Sequence, residues 1–359
     1  MADPQPTSRR QRFVEVMSGQ AQDGWAQVLR PAAGLASGFY AAAIALRNLR
    51  YDAGAGVWRL ARPVLSVGNL SVGGTGKTVL VIEIARWLLE AGRRPAVLLR
   101  GYKGEASPVG ADEAAMLRQQ LVNVSVEANP DRIAAGRKLL AGPRPPDVFI
   151  LDDGFQHRRL ARDLDVVLVN ALDPFGGRAL LPLGDLREPP GALRRAQLIV
   201  ITHVDLAPAQ SLAVLRQDIQ RLNPRAPVLE AVHKPDYLYE VKTEIRHHLD
   251  RLQGRPAAAL SGLASPQQFE ACLKGNGVPI AQSWRYPDHH RYSARELGSI
   301  DHLRDGLPLV TTFKDLVKFP SGWRELLGGE VYALGIKLEI VKGESVWNDT
   351  LAALAGQKP

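Results

Sequence analysis

The sequence contains a single cysteine in 359 residues, Cys272. One thiol excludes a disulfide within the chain and any zinc site built from several cysteines. A reducing compartment is therefore the simpler location for the protein. We do not expect Cys272 to act as a catalytic nucleophile.

Acidic residues are in deficit, with 37 Asp and Glu against 45 Lys and Arg, which gives a formal net charge of +8 at pH 7. A positive surplus attracts nucleic acid, anionic lipid and phosphorylated small molecules alike, so charge alone does not choose among them. Apolar residues make up 45% of the chain. That fraction is enough for the core of one large domain or two ordinary ones.

Long uncharged runs are scarce, and the run near the N-terminus extends over sixteen residues, from Pro31 to Leu46. A helix rises ~1.5 Å per residue, so this run covers roughly 24 Å, less than the ~30 Å hydrocarbon core of a bilayer. No small-residue cleavage site follows in the position that a signal peptide requires. We therefore expect neither a membrane-spanning helix nor a secreted protein.

The first 62 residues carry eight arginines and four acidic residues. Arginines, aromatic rings and apolar residues in one segment are typical of a helix that lies in the membrane interface. A helix packed on the core of the protein is the alternative. The aromatic residues of this arm are Trp25, Phe39, Tyr40, Tyr51 and Trp58.

The segment "SVGGTGKT" at 71–78 lacks one glycine of a phosphate-binding loop, because Ser71 stands where G-x-x-x-x-G-K-[ST] begins. Gly73 and Gly74 still supply backbone freedom, and backbone N–H groups at a helix N-terminus bind polyphosphate. We expect Lys77 to reach the β- and γ-phosphates and Thr78 to ligate Mg²⁺. The residues predicted to bind the nucleotide are Ser71, Val72, Gly73, Gly74, Thr75, Gly76, Lys77 and Thr78.

Two aspartates, Asp152 and Asp153, end the apolar run "VFILDD". An acidic residue at the end of a buried strand is costly to leave unpaired, so we expect one of the two to face the magnesium ion of the phosphate loop. The alternative is an aspartate that only caps the following turn. Which of the two contacts the metal stays open.

Short apolar runs alternate with helical patterns after residue 62, which is typical of a parallel sheet covered by helices. Runs that are apolar on both faces predict a P-loop NTPase-like, doubly wound, mostly parallel sheet with a smaller C-terminal α/β lobe. The predicted domains are an amphipathic membrane-interface arm at 1–62, a P-loop core at 63–227 and the C-terminal lobe at 228–359. The predicted strands of the core are 63–69, 94–102, 147–153, 165–171 and 197–205.

Several further motifs resemble those of the tetraacyldisaccharide 4′-kinases, and they follow in the same order from about residue 25 to residue 320. "DDGFQH" together with "LREP" is far more specific than the phosphate loop alone. The matching segments are "GNLSVGGTGKT" (68–78), "RGY" (100–102), "ADE" (111–113), "NPDR" (129–132), "LDDGFQHRRLARD" (151–163), "LPLGDLREP" (181–189), "PDHHRY" (287–292) and "TFKDLVK" (312–318).

The resemblance implies a P-loop kinase that uses ATP and Mg²⁺ to phosphorylate the 4′-hydroxyl of the acylated glucosamine disaccharide-1-phosphate precursor of lipid A. It implies a peripheral or monotopic enzyme at the cytoplasmic face of the bacterial inner membrane, held there by the N-terminal arm. Neither nucleic acid nor an obligate protein partner is expected.

The resemblance also assigns residues. Asp112 corresponds to the acid that accepts the proton of the sugar hydroxyl, and His289, preceded by Asp288, to the histidine that supports it. The two residues lie 177 positions apart and on different predicted lobes, so we expect them to meet only when the lobes close on ATP and lipid. Arg187 and Glu188 match residues near the phosphates and the metal.

Four further residues are predicted to bind the acceptor: Arg100, Tyr102, Glu113 and Arg132. Arg132 would hold a phosphate of the acceptor, although a surface ion pair is an alternative role for it and for Arg187. The chain departs from the family pattern around the acid pair, where Ala111 and Ala114 replace a glycine and a proline. Val79 and Phe313 are two other departures, and neither removes a group assigned to catalysis.

Two other functions compete with this interpretation. A regulatory or metallochaperone GTPase would use "ITHVD" (201–205) as its guanine-reading motif, but His203 stands where that motif has its lysine. A nucleic-acid-binding protein would draw on the +8 charge and show steeply salt-dependent binding. The sequence has no aromatic and basic recognition motif for that role.

Overall fold

The computed structural model describes residues 24–101, 108–263, 265–288 and 290–356. The strands are β1 (Val64–Asn69), β2 (Pro95–Leu99), β3 (Ser125–Ala128), β4 (Val148–Asp152), β5 (Leu164–Asn170), β6 (Leu198–Thr202), β7 (Val228–Glu240), β8 (Ile245–His247), β9 (Ala257–Ser261), β10 (Ile280–Arg285), β11 (Leu309–Thr312) and β12 (Val331–Lys342). The α-helices are α1 (Gly24–Asp52), α2 (Lys77–Glu90), α3 (Pro108–Gln120), α4 (Arg132–Leu140), α5 (Ala209–Leu222), α6 (Pro266–Gly275), α7 (Ala294–Leu303), α8 (Phe313–Leu316), α9 (Trp323–Leu326) and α10 (Glu344–Gly356).

The chain forms two compact units and passes between them more than once. The first unit comprises residues up to 100, residues 131–232 and residues from 340 onward; the second comprises 101–130 and 233–339. The predicted domains follow one another along the chain, whereas the units do not. Residues 101–130 belong with the second unit because α3 packs against β3 and α8, and burial of apolar surface does not depend on chain order.

The first unit is built on a parallel sheet, as predicted. Strand β1 lies between β4 and β5, while β2 pairs with β4, β6 with β5, and the start of β7 with β6. Every residue of β1 and β4 is buried, because helices cover both faces of such a sheet. This double burial explains why both strands are recognisable as continuous apolar runs.

A close backbone approach joins β1 to the segment that follows β4. A Cβ atom on Gly68 would lie 2.5 Å from the Cβ atom of Phe155, a distance that side chains do not tolerate. Glycine at 68 therefore lets the "DDGF" turn pack directly over the end of β1. Phe155 is fully buried in an apolar cluster with Leu70, Val167 and Ile199, which fixes the turn that carries Asp153.

The second unit has its own parallel strands. β9 lies between β10 and β11, and β11 pairs with β12. The hairpin strand β8 runs antiparallel to the end of β7. One apolar cluster of this unit contains Tyr237, Leu260, Tyr292, Phe313 and Val331, so α8 and the segment around residue 292 are anchored in its core.

Helix α1 has 29 residues and is therefore about 44 Å long at ~1.5 Å per residue. Its segment Val28–Asp52 includes an 18-residue window with a mean hydropathy of 1.3. Only 11% of that window is buried within the protein. By length and composition alone the helix is able to cross a membrane. The helix is longer than the charge-free run, because it continues through Arg30 and Arg47 on either side. That it does not span the membrane stays a prediction.

Candidate active site

The phosphate loop connects β1 to α2, where the sequence predicts it. Gly76 precedes α2 with φ 85°, a left-handed conformation that favours glycine, and no side chain caps the helix. The segment before it is extended: Ser71 forms an antiparallel bridge with Leu186, and the Val72 N–H donates to the Asp185 carbonyl at 2.7 Å. Ser71 therefore replaces the first glycine of the motif at a position that requires no glycine.

The polar side chains of the loop meet the aspartates that end β4. The Lys77 Nζ atom donates to Asn69 Oδ1 at 3.0 Å and lies 3.6 Å from Asp153 Oδ1. The Thr78 hydroxyl donates to Asp152 Oδ2 at 3.4 Å. The hydroxyl and the nearby carboxylate are oxygen donors of the kind that Mg²⁺ takes in a P-loop site, so these residues fit the predicted ion.

The two aspartates differ in their electrostatic surroundings. Burial, and then the adjacent Asp153 charge, raise the pKa of Asp152 to about 6. Burial acts in the same direction on Asp153, but Lys77 and Arg187 outweigh it and hold the pKa of that carboxyl below its usual value. Asp153 is thus paired with two positively charged side chains of the protein, Lys77 and Arg187. Asp152, next to the Thr78 hydroxyl, is the better candidate for the metal.

Arg187 is held beside the loop by its backbone and by its side chain. Its N–H donates to the Leu70 carbonyl at 2.8 Å, and its Nη1 atom lies 2.6 Å from Asp153 Oδ2. Asp153 also has a positive φ of 51°, which is uncommon for a residue other than glycine. Lys77 and Arg187 therefore approach the same carboxylate from two sides, in a region where a polyphosphate would replace it as their partner.

Arg132 has a different environment from the one predicted for a residue that binds the acceptor. It is 2% exposed and donates from Nη2 to the Asp152 carbonyl at 2.8 Å and from Nη1 to the Asp153 carbonyl at 3.3 Å. It therefore supports the backbone of the two aspartates. A partner twenty positions away along the chain leaves no local pattern, so the sequence offered no indication of this contact.

Glu188 is also placed differently from its predicted role as a metal ligand. Its side chain is fully buried and accepts hydrogen bonds from Asn48 at 3.0 Å, Arg195 at 2.8 Å and Arg47 at 3.4 Å. These donors already satisfy the carboxylate. Among the described residues, no group of three or more His, Cys, Asp or Glu side chains could hold a metal ion.

The half-buried histidine of "DDGFQH", His157, predicts a pH dependence of stability. Burial, followed by the charges of Arg132, Arg162 and Arg159, lowers the pKa of His157 from 6.5 to about 4. Between these values the unfolded chain binds a proton that the folded chain does not, so the free energy of unfolding falls as pH is lowered from about 6.5 to about 4.

Replacing His157 with glutamine is expected to flatten this dependence, measured by urea unfolding at pH 7 and pH 4.5. The exposed His302 provides the control: the variant H302Q should keep the slope of the unmodified protein. Equal pH slopes for H157Q and the unmodified protein would show that His157 is not the group responsible.

A second set of predicted residues lies in the second unit. Asp112 projects from α3, and its carboxylate lies 3.3 Å from Nη2 of Arg291 in the "PDHHRY" segment. The same segment contributes Asp288, which pairs with Lys314 Nζ at 2.6 Å. His289 lies outside the described residues. The structure thus places Asp112 and the segment that carries His289 in the same unit and in contact. The expectation that they lie on different lobes and meet only on closure is wrong, because α3 packs in the second unit although it precedes much of the first along the chain.

A buried carboxylate anchors this segment. Asp315 is fully buried and accepts hydrogen bonds from the Gly262 N–H at 3.1 Å, the Tyr292 hydroxyl at 3.2 Å and the Thr312 hydroxyl at 2.7 Å. The Lys318 Nζ atom is buried 3.9 Å away, and this burial lowers its pKa although Asp315 opposes the shift. "TFKDLVK" therefore ties "PDHHRY" to the core, a role that the sequence did not reveal.

The positions of the remaining predicted residues say less about their roles. Arg100 directly follows β2 and is exposed, and Glu113 is exposed on α3. Val72 is exposed, whereas Thr75 is buried and its carbonyl accepts a hydrogen bond from Thr202. Tyr102 lies outside the described residues. Sequence reasoning missed Arg291, Lys314 and Asp315, although all three lie in motifs that it had singled out.

The parallel sheet, the phosphate loop and the aspartates at the end of β4 define a P-loop nucleotide-binding enzyme. A family model for tetraacyldisaccharide-1-P 4′-kinase matches residues 25–355. The chain belongs to this family of kinases. The findings give no support to the GTPase alternative.

Curated relatives agree over most of the chain. Tetraacyldisaccharide 4′-kinase of Elusimicrobium minutum is 39% identical over 309 residues, covering 81% of this chain and 82% of the relative. The enzyme of the same name from Anaeromyxobacter dehalogenans is 39% identical over 339 residues, covering 89% of each. Among solved structures, LpxK from Aquifex aeolicus in complex with ATP has a TM-score of 0.72 and 32% identity, covering 92% of this chain and 100% of that one.

Proposed function

We propose that this chain transfers the γ-phosphate of ATP to the 4′-hydroxyl of an acylated glucosamine disaccharide 1-phosphate, the precursor of lipid A. The observation that carries the proposal is the set of contacts that joins Lys77, Asp153 and Arg187 beside the phosphate loop, in a chain of the 4′-kinase family. The similarity to a structure that contains ATP supports ATP as the phosphate donor.

In the proposed mechanism, Lys77 and Arg187 stabilise negative charge on the transferred phosphoryl group. Thr78 and Asp152 would hold Mg²⁺, and the ion would supply positive charge that offsets the charge of the β- and γ-phosphates. Asp112 orients the 4′-hydroxyl and accepts its proton, with His289 as its support. Lobe closure on ATP and lipid stays a prediction, but it is not needed to bring Asp112 to the segment that carries His289, since one unit contains both.

The proposed place of work is the cytoplasmic face of the bacterial inner membrane. Five large apolar residues of α1 are each at least 65% exposed, and such residues favour a lipid surface over water. An acceptor with several acyl chains remains in the bilayer, so an enzyme that phosphorylates it must work at the bilayer surface. The proposal needs neither nucleic acid nor an obligate protein partner. The exposed residues are Val28, Leu35, Phe39, Leu46 and Leu49.

A transfer assay tests the proposal. Purified protein is incubated with γ-labelled ATP, Mg²⁺ and a detergent-dispersed disaccharide 1-phosphate lipid, and the products are separated by chromatography. We expect label in a lipid bisphosphate, and none when the acceptor already carries a 4′-phosphate. Faster hydrolysis of GTP than of ATP, with no labelled lipid, would instead support a GTPase.

A further inference from the structure

Helix α1 has two chemically different faces. The apolar side chains on its outer face are between 65% and 79% exposed at residues 28, 35, 39, 46 and 49. Residues on the other face recur every three or four positions, which is the spacing of one side of a helix. This inner face comprises Ala33, Ser37, Tyr40, Ile44 and Arg47, of which Ala33 and Ile44 are buried.

The inner face bonds to the segment that carries Arg187. The Ser37 hydroxyl donates to the Leu180 carbonyl at 3.0 Å, and the Tyr40 hydroxyl donates to the Arg187 carbonyl at 3.0 Å. Burial raises the pKa of Tyr40, which keeps the hydroxyl protonated as a donor. The helix is thus bonded to the backbone of a residue whose side chain reaches the phosphate site.

Glu188 joins the same segment to the helix more strongly. Its fully buried carboxylate is shared by Arg47 and Asn48 from α1 and by Arg195 from the first unit's 3₁₀-helix Pro190–Arg195. Arg195 in turn lies 4.3 Å over the ring of Phe155. A buried carboxylate that loses part of its donors is destabilised. Glu188 therefore resists any movement of α1 away from this segment.

The contacts continue from this segment to the phosphate loop. The backbone of Arg187 is bonded to Leu70, its guanidinium lies 2.6 Å from Asp153, and Asp153 lies 3.6 Å from Lys77. A continuous set of bonded groups thus connects the inner face of α1 to the lysine of the phosphate loop. The outer face of the same helix is apolar, and the exposed Arg30 and Arg50 suit an anionic lipid surface.

We propose that α1 is part of the phosphate site and not only an anchor, with Glu188 and Tyr40 as positioning residues for Arg187. A lipid surface that seats the outer face of α1 thereby raises the affinity of the first unit for ATP. This inference rests on the proposed function in one respect, since it takes the phosphate loop as the ATP site. Coupling between two binding equilibria is reciprocal, so ATP must raise the affinity for lipid by the same factor.

The test measures both affinities on the full chain. A fluorescent, non-hydrolysable ATP analogue is titrated with and without vesicles of phosphatidylglycerol and phosphatidylethanolamine, and vesicle binding is measured with and without saturating analogue. We expect vesicles to lower the Kd of the analogue by about 5- to 30-fold, and the analogue to lower the vesicle Kd by the same factor, a typical range for coupled sites.

Substitutions of single side chains distinguish the role of the inner face of α1 from that of its outer face. Tyr40→Phe removes one hydrogen bond to the Arg187 carbonyl and is expected to reduce the coupling about 2- to 10-fold, and Glu188→Gln is expected to reduce it further. Tyr51→Phe on the same helix, whose ring lies 5.8 Å from the Arg158 guanidinium, is the matched control and should leave it unchanged. Phe39→Ser on the outer face should weaken vesicle binding and leave the affinity for the analogue without vesicles unchanged.

Equal analogue affinities with and without vesicles, in protein that binds vesicles, would overturn the inference and leave α1 as an anchor alone. Unchanged coupling in Tyr40→Phe would also contradict the inference. If Glu188→Gln does not fold, the coupling measured in Tyr40→Phe is the deciding result. If the proposed function itself is wrong, the experiment gives a different result. In that case the analogue would bind no better to the unmodified protein than to Lys77→Ala, whatever the lipid.

Discussion

Replacing Lys77 with alanine is expected to reduce phosphoryl transfer by about 10³-fold or to abolish it, while the fold is retained. Removal of one preorganised charge-stabilising group costs about 10²- to 10³-fold in turnover, and the proposed role of Lys77 includes both binding and transfer. The structure holds its Nζ atom between Asn69 and Asp153 at the start of α2. The measurement is the rate of labelled lipid formation at saturating acceptor, across a range of ATP concentrations.

Lys274 provides a matched control, because it is exposed on α6 in the second unit and has no assigned role. Lys274→Ala should retain full activity. Thermal unfolding should show that Lys77→Ala folds, since Asp153 keeps its contact with Arg187. Turnover of Lys77→Ala within about threefold of the unmodified protein would contradict the assignment of the phosphate loop.

The parts of the site that were predictable are those encoded locally. The strands before and after the phosphate loop are apolar on both faces, and such runs identify interior parallel strands. The loop itself is a contiguous motif that ends in Lys77 and Thr78. The two aspartates that meet the loop, Asp152 and Asp153, stand at the end of an apolar run. In each case, the pattern that identifies the feature lies within one short stretch of the chain.

The parts that were not predictable depend on contacts between distant segments. Glu188 is an ordinary acidic residue in the sequence, and it becomes a buried anchor because Arg47 and Asn48 lie about 140 positions earlier on a helix that packs beside it. Arg132 likewise takes its role from contacts that the sequence does not show, since it donates to the carbonyl groups of Asp152 and Asp153 at the end of β4. Propensity and spacing do not encode such partners, so a resemblance could suggest that these residues matter but not what they contact.

The length of α1 shows the same limit in another form. A count of uncharged residues stopped at Arg30 and Arg47, but arginine is a good helix former and does not end a helix. Arg47 also has a partner in Glu188, so its charge is compensated within the protein. The chemical character of the helix therefore depends on which face each arginine occupies.

Replacing Asp112 with asparagine is expected to lower kcat about 10²-fold or more and to change the KM for ATP much less. General-base catalysis contributes about 10²- to 10⁴-fold, and an amide keeps the size of the side chain but cannot accept the proton. The KM for ATP should be nearly unchanged because Asp112 and the phosphate loop belong to different units. The measurement is steady-state transfer with ATP and acceptor varied separately.

The Asp112 carboxylate lies 3.3 Å from Nη2 of Arg291, on a segment that Asp315 fastens to the core through Tyr292. That anchorage gives its carboxylate a defined orientation, which a general base requires. Asp250, with a side chain 66% exposed, lacks such an environment, and Asp250→Asn is expected to keep full activity. If Asp112→Asn stays within about threefold of the unmodified kcat, the proton of the 4′-hydroxyl passes to a different group.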